Sequence, residues 1–384
     1  MYILGVSCYY HDSSAALLRD GVVVAAVEEE RFTRKKHDTS FPINSIKYCL
    51  DSQGITIDDI DHVGFHEKQF FKFECMLYQY IEYFPKSMKV FLSSIPSWLN
   101  EKLRVTKALR KKLKYKGEVM FIEHHIAHAA STFLVSPFKK AAILTIDGVG
   151  EWTTTAYGIG DGNKIDLLKE IRFPHSIGLL YSTITAYLGF SVNNSEYKVM
   201  GLAPYGDMNR DTNPYYNRMR KVIDIKDDGS YRLDMSYFVF DHKDRMPSKK
   251  MCKLFGGPIS ARDVEMSKRH KDIAAAVQLV TEDVVILMLR HVHKVTKCDN
   301  IVMAGGVALN SVCNGKILRN TPFKKIWIQP NSSDGGTSMG VACYINNVIL
   351  DNKRNYQMKD AYLGPKYSTE QVKSFLDQYG IKYS

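Results

Sequence analysis

The sequence predicts an α/β protein in which one lobe occurs twice, and three observations carry that prediction. A strand, turn and hairpin pattern at the amino terminus returns near residue 141. Two later apolar runs end in glycine pairs, Gly305-Gly306 and Gly335-Gly336, as strands do where a ligand-facing loop precedes a helix. Finally, 384 residues with 45% hydrophobic side chains, 24% charged ones and only 12 prolines describe an ordinary globular chain of two or three lobes.

In chain order, Tyr2 to Ser7, Ala15 to Leu18 and Val22 to Val27 are apolar strand-like runs, and Arg19-Asp20-Gly21 between the last two carries hairpin chemistry. An aromatic and basic insert follows from Phe70 to about Gly117. Its end, Glu101 to Tyr115, holds many lysines and arginines, and Leu99, Leu103, Leu109 and Leu113 stand near helical spacing, so an amphipathic helix with a solvated basic face is expected. The second copy opens with Ala141 to Ile146, turns at Asp147-Gly148-Val149-Gly150, and continues through Thr153 to Ile159 and Ile165 to Leu168. A long helical pattern runs from Asp272 to Val295, before strand-like runs at Asn300 to Met303 and Lys325 to Gln329. This divides the chain into a first lobe at 1–140 containing the insert 70–117, a second lobe at 141–350, and a tail at 351–384. Two such lobes with a nucleotide cleft between them are the plan of the actin and sugar-kinase (ASKHA) folds.

Composition removes several classes. Seven cysteines, odd in number and without a C-x-x-C pair, exclude a disulfide framework and a zinc ribbon and favour a reducing compartment. The opening MYILGVSCYYHD has no basic n-region and no run approaches 18 apolar residues, so a cytoplasmic chain with no membrane partner is expected. The formal charge of +11 suits anionic ligands, and nothing singles out nucleic acid.

In FIEHHIAHAAS, His124 and His128 stand four apart, so a helix projects both imidazoles from one face while His125 points elsewhere. Without a partner they are only two polar helix residues. Asp334, in the loop after a predicted strand, supplies the carboxylate of a two-histidine, one-carboxylate metal site, or alternatively a helix cap. The loops at Asp147 to Gly150, Gly305-Gly306 and Gly335-Gly336 let backbone N–H groups approach phosphates, although none matches a P-loop or dinucleotide fingerprint. His11 beside Asp12 follows the first strand, where a base can take a hydroxyl proton or the pair can simply cap a turn. Lys198 precedes Gly201 in EYKVMG, a place for a phosphate-binding or an ordinary surface lysine.

Together, HDSSAALLRDG, VEEERFTRKKH, EHHIAHAAS, TIDGVGEWTT, EYKVMGLAPYG, RHKDIAAAVQ, MAGGVALNSVCNGKI and QPNSSDGGTSMG, in this order, resemble the O-carbamoyltransferases that modify nodulation factors and antibiotics. The resemblance spans about residues 1–350. It implies an actin-like lobe similar to the tRNA threonylcarbamoyl transferase, joined in the family to a lobe resembling threonylcarbamoyl-adenylate synthase. The latter makes carbamoyl adenylate from carbamoyl phosphate and ATP, with Mg2+ as a possible companion, and the former passes the carbamoyl group to a hydroxyl of a sugar or natural product. It further implies iron, or else zinc or manganese, on His124, His128 and Asp334; nucleotide phosphates on Asp147, Gly148, Gly150, Gly305 and Gly306, with Asn310 and Lys198 nearby; and His11 and Asp12 facing the acceptor alcohol. The tail beginning at Tyr362-Leu363-Gly364-Pro365 resembles the opening of the adenylate-forming lobe, which makes that lobe, as a further domain or a separate protein, an expected partner. The alternative is a nucleotide-binding scaffold that needs such a partner for any turnover.

Overall fold

The computed structural model describes residues 1–243, 245–258 and 266–383. Strand β1 (Tyr2–Ser7) is central to the first sheet because all of it beyond Tyr2 is buried. It pairs antiparallel with β2 (Ser14–Arg19) and parallel with β4 (His62–Phe65). β2 pairs antiparallel with β3 (Val22–Glu28), and β4 pairs parallel with β5 (Val119–Phe121). The β2–β3 turn is made by Asp20 at φ 50° and Gly21 at φ 79°, the two left-handed residues that a tight hairpin needs. The order is β3-β2-β1-β4-β5.

The second sheet repeats it. Central β6 (Lys140–Ile146) pairs antiparallel with β7 (Thr153–Asp161) and parallel with β11 (Asn300–Ala304). β8 (Lys164–Arg172) and β12 (Lys325–Ile328) complete the order β8-β7-β6-β11-β12, while β9 (Ile223–Ile225) and β10 (Tyr231–Leu233) form a small separate hairpin. Order and strand directions match between the sheets, so the duplication expected from the sequence is the fold, a mixed α/β architecture of the ASKHA type.

Helix α1 (Ile43–Asp51) covers the first sheet, and the insert folds as α2 (Gln69–Glu82), α3 (Met88–Asn100) and α4 (Val105–Leu113). The leucine spacing is kept only in part: Leu99 lies exposed on α3, while α4 buries Val105 and Leu109 in the first lobe's core and leaves Lys107, Arg110, Lys111 and Lys112 in water. Helix α5 (His124–Phe133) leads into the second sheet, which is covered by α6 (Ile177–Tyr187), α7 (Glu196–Leu202) and α8 (Lys268–Thr296).

The two halves are joined more closely than a division at residue 140 suggests. Helix α9 (Thr337–Tyr344) lies late in the chain yet packs on the first sheet, and only glycines allow its approach. A Cβ at Gly5 would lie 1.9 Å from the Ser338 carbonyl oxygen, and one at Gly340 would lie 2.0 Å from that of Ala127 on α5. Ile3 and Leu18 therefore share one core with Ile143, Val302 and Val341. The expected linker also divides: the Arg354 guanidinium donates to the carbonyls of Leu134 and Phe138, both at 2.7 Å, and to that of Ser136. Met358 is buried, and the Ala26 N–H donates to the Leu363 carbonyl at 3.1 Å, so residues 351–363 belong to the packed body. Only beyond them does α10 (Thr369–Gln378) stand clear, burying none of its residues. Among the described residues, no helix is long and apolar enough to cross a membrane.

Candidate active site

Helix α5 brings the histidines together. Its Ala127, Ala129 and Ala130 let neighbouring elements approach, and every residue except Ile126 is buried. No local side chain caps its first turn. Instead, Glu151 reaches across from the β6–β7 loop and accepts the His124 backbone N–H at 3.0 Å and that of Lys68 at 2.8 Å, placing a carboxylate at the helix's positive end. Gly150 lies beside it because a Cβ there would come within 2.9 Å of the His125 ring and 3.2 Å of His124.

His124 Nε2 lies 3.0 Å from His128 Nε2, 3.2 Å from Asp147 Oδ2 and 3.4 Å from Asp334 Oδ1. His128 Nε2 lies 3.5 Å from the same Asp334 oxygen. All four side chains are buried, with Asp334 and His128 fully so, and neither Asp334 oxygen has a hydrogen-bond partner. Two imidazole lone pairs and two carboxylates converging on one point repel unless positive charge sits among them. Burial alone would raise Asp147 and lower His124. The histidines and carboxylates overcome it, holding both aspartates well below the usual carboxylate range and His124 well above the ordinary imidazole value. The donor set of two Nε2 atoms and two carboxylates, with Asp334 orphaned, fits a divalent transition metal. His125 is turned away, its Nδ1 2.7 Å from the Thr145 hydroxyl, as the helical spacing predicts.

Of this cluster, Asp147 lines a cavity of about 240 Å3 between the lobes, with His124, His128 and Asp334 buried behind it. On one wall, His11 Nδ1 is 3.0 Å from Asp12 Oδ2 while His11 Nε2 is 3.6 Å from Asp334. Asp12 is buried and sits at φ 54°, with Tyr9 of the same loop at φ 75°, two non-glycine residues in the left-handed region at a ligand-facing turn. Its carboxylate also takes His37 Nδ1 at 2.5 Å and the Ser333 hydroxyl at 2.9 Å. Burial would push His11 down, but Asp334 and Asp12 outweigh it and lift the ring to about 9. The facing wall carries Gly148, Leu179, Tyr181, Tyr197 and Gly306.

Of the residues expected at the nucleotide, Asp147, Gly148, Gly306 and Asn310 line the cavity, but not all in the expected way. Asp147 belongs to the histidine cluster, and the Gly306 N–H is spent on its Oδ1 at 2.9 Å. Asn310 holds Gln278 and caps a short turn through the Cys313 N–H. Three expected residues lie outside the cavity's lining. Lys198 is exposed and absent from the wall, where Lys36 stands instead; Gly150 and Gly305 lie behind it. Gly305 has φ 93° and a Cβ would meet the Ile146 carbonyl at 2.2 Å, so it is needed for close packing. Gly335 and Gly336 are likewise packed against Glu28 and Asn331. Sequence reasoning missed His37, though VEEERFTRKKH contains it, and His66, a buried ring 5.6 Å from that of His124 that burial pushes down to about 3.

A duplicated ASKHA lobe with a buried histidine and aspartate cluster under its cleft defines the class. The chain belongs to the carbamoyltransferase family, whose amino-terminal family model, "Carbamoyltransferase N-terminus", matches residues 2–343. It is 45% identical over 389 residues to the uncharacterized protein sll1178 of Synechocystis, covering 98% of this chain and 62% of that one. It is 33% identical over 374 residues to the nodulation protein NolNO of Sinorhizobium fredii, covering 95% and 50% respectively. The chain thus spans between half and two thirds of the length of these relatives. Among solved structures, it is similar to component A of the Acidaminococcus fermentans (R)-2-hydroxyglutaryl-CoA dehydratase, at 12% identity and a TM-score of 0.47 over 90% of this chain and 97% of that one.

Proposed function

We propose that the chain carries the transfer half of an O-carbamoyltransferase, moving a carbamoyl group from carbamoyl adenylate to a hydroxyl of a sugar or natural-product acceptor. The observation that supports it most is the buried His124, His128, Asp147 and Asp334 cluster, which meets the interlobe cavity through Asp147 and stands beside His11. The apolar wall of Leu179, Tyr181 and Tyr197 suits an adenine ring, and Lys36 supplies positive charge at the phosphate side. Asp12 anchors His11 through Nδ1, leaving Nε2 on the side of Asp334; in its neutral form the ring would take the acceptor proton at Nε2 as the hydroxyl oxygen bonds to the carbamoyl carbon. The bond from that carbon to the adenylate oxygen breaks, and AMP leaves with the electron pair. His37 and Ser333 hold Asp12 and so fix the ring. A divalent cation held by His124, His128, Asp147 and Asp334, iron by resemblance, would set positive charge beside the leaving phosphate and relieve His11 of the pull of Asp334. The adenylate itself would come from carbamoyl phosphate and ATP in an adenylate-forming lobe.

The test supplies chemically made carbamoyl adenylate and a panel of alcohols to the 384-residue chain and weighs the products for a carbamoyl gain. Transfer that is lost in a folded His11→Gln variant supports the reading. No transfer to any alcohol, with AMP released only at the rate of hydrolysis in buffer, overturns it.

A further inference from the structure

A second cavity, of about 80 Å3, opens on the other side of Tyr10, which lines both it and the interlobe cleft. It lies where the end of β4 meets the insert, with Glu67, Gln69, Lys72, Trp98 and Lys102 in its wall. At roughly 15 Å3 of such space per water, it holds a solute of about five non-hydrogen atoms.

The polar groups in this wall are not satisfied by one another. Gln69 is 5% exposed, and its Nε2 is buried without an acceptor. Among the described residues, neither the Glu67 carboxylate nor the Lys102 ammonium has a hydrogen bond or an ion pair, although both line the same small space. Burial pushes Glu67 up and Lys102 down; the attraction between the two opposes both shifts without cancelling them, and Lys102 Nζ stands 5.0 Å from the centre of the Trp98 ring. Lys72 is already engaged by the carbonyls of Val149 and Gly150, next to the metal-site loop. Two lysines against one glutamate leave one net positive charge, and the open valences are two donors and one acceptor.

We propose that this chamber binds a small oxyanion that retains one N–H or O–H, the class of bicarbonate, carbamate and dihydrogen phosphate. Its oxygens accept from Lys102 Nζ and Gln69 Nε2, and its remaining hydrogen goes to Glu67. The site stands independently of the transfer reaction, because neither its residues nor its ligand is needed for the steps above.

Calorimetry of the full chain with bicarbonate and with inorganic phosphate, at constant ionic strength, tests it. Saturable binding of either is expected, and which one binds tells a planar from a tetrahedral site. Lys102→Met and Gln69→Leu should each weaken it about tenfold or more while circular dichroism and melting stay unchanged. Sulfate, which has no hydrogen to give Glu67, should bind at least about tenfold more weakly than phosphate. Absence of binding, or equal affinity in a folded Lys102→Met variant, overturns the proposal. Binding abolished by Gly306→Val but untouched by Lys102→Met places the ion in the interlobe cleft and overturns it as well. Sulfate equal to phosphate removes the hydrogen-bond role of Glu67 and with it the proposed ligand class.

Discussion

Gly340→Ala adds one methyl group where α9 crosses α5, 2.0 Å from the Ala127 carbonyl oxygen and 2.8 Å from the Ser131 backbone nitrogen. Both neighbours are backbone atoms of a buried helix, so no side chain can rotate aside. Restoring an ordinary contact of about 3.4 Å requires the helices to separate by about 1.4 Å. Overpacking of this kind costs about 3 kcal/mol, and a rigid contact belongs at the upper end of the usual range. The same displacement acts on the site, because α5 carries His124 and His128 and Asp334 immediately precedes α9. Two ligand atoms about 2.1 Å from one ion cannot be more than about 4.2 Å apart. His128 Nε2 and Asp334 Oδ1, 3.5 Å apart in the native chain, would move to about 4.9 Å if the full shift fell along their line. The substitution should therefore lower the urea midpoint and the metal content after reconstitution together. Gly201→Ala, at a helical glycine with nothing within 4 Å, should instead be neutral or stabilise by up to about 1 kcal/mol. A Gly340→Ala protein with native stability and full metal content would refute the claim that this crossing sets the site.

Three further outcomes are expected. Asp147→Asn and His128→Ala should both cut metal content by about tenfold or more in elemental analysis of the folded protein, whereas an Asp147 that serves only nucleotide phosphates would leave the metal in place. The Asp12 carboxylate raises His37 above its usual value near 6.5, so this contact stabilises the fold fully below about pH 6.5 and is lost as pH rises through the folded value. Urea unfolding at pH 6 and pH 9 should show a smaller fall in stability for His37→Gln than for the native chain, and equal falls would contradict the pairing. Six of the seven cysteines are buried with their thiols pushed up, so brief alkylation of the native protein should reach Cys252 first, and early modification of Cys8 or Cys343 in a peptide map would contradict the packing.

What the sequence made legible was local. Strand runs closed by Asp-Gly turns and a histidine pair four apart each leave their mark within a dozen residues, and both are found as expected. The place of Asp147 beside the histidines was not legible because Asp-Gly-Val-Gly reads as a phosphate turn, and only the fold brings its carboxylate to 3.2 Å from His124. Lys198 stands in water, and Lys36 lines the cavity instead. The Asp12 to His37 contact and the Glu151 cap on α5 join residues 25 and 27 positions apart, and no periodicity announces such pairs. The crossing at Gly340 was hidden most deeply, because an isolated glycine in an apolar stretch looks like a helix weakness until its partner is known.

The contact between Gly5 and Ser338 also dictates a timetable for biosynthesis. The helix that roofs β1 is made more than 300 residues after it. Throughout that interval the apolar strands of the amino-terminal half lack part of their cover, and closing so long a loop is slow even though its entropy cost rises only gently with length. The core around Leu4, Phe65 and Leu109 can close within the first lobe, whereas the core that Ile3 and Leu18 share with Val302 and Val341 waits for α9.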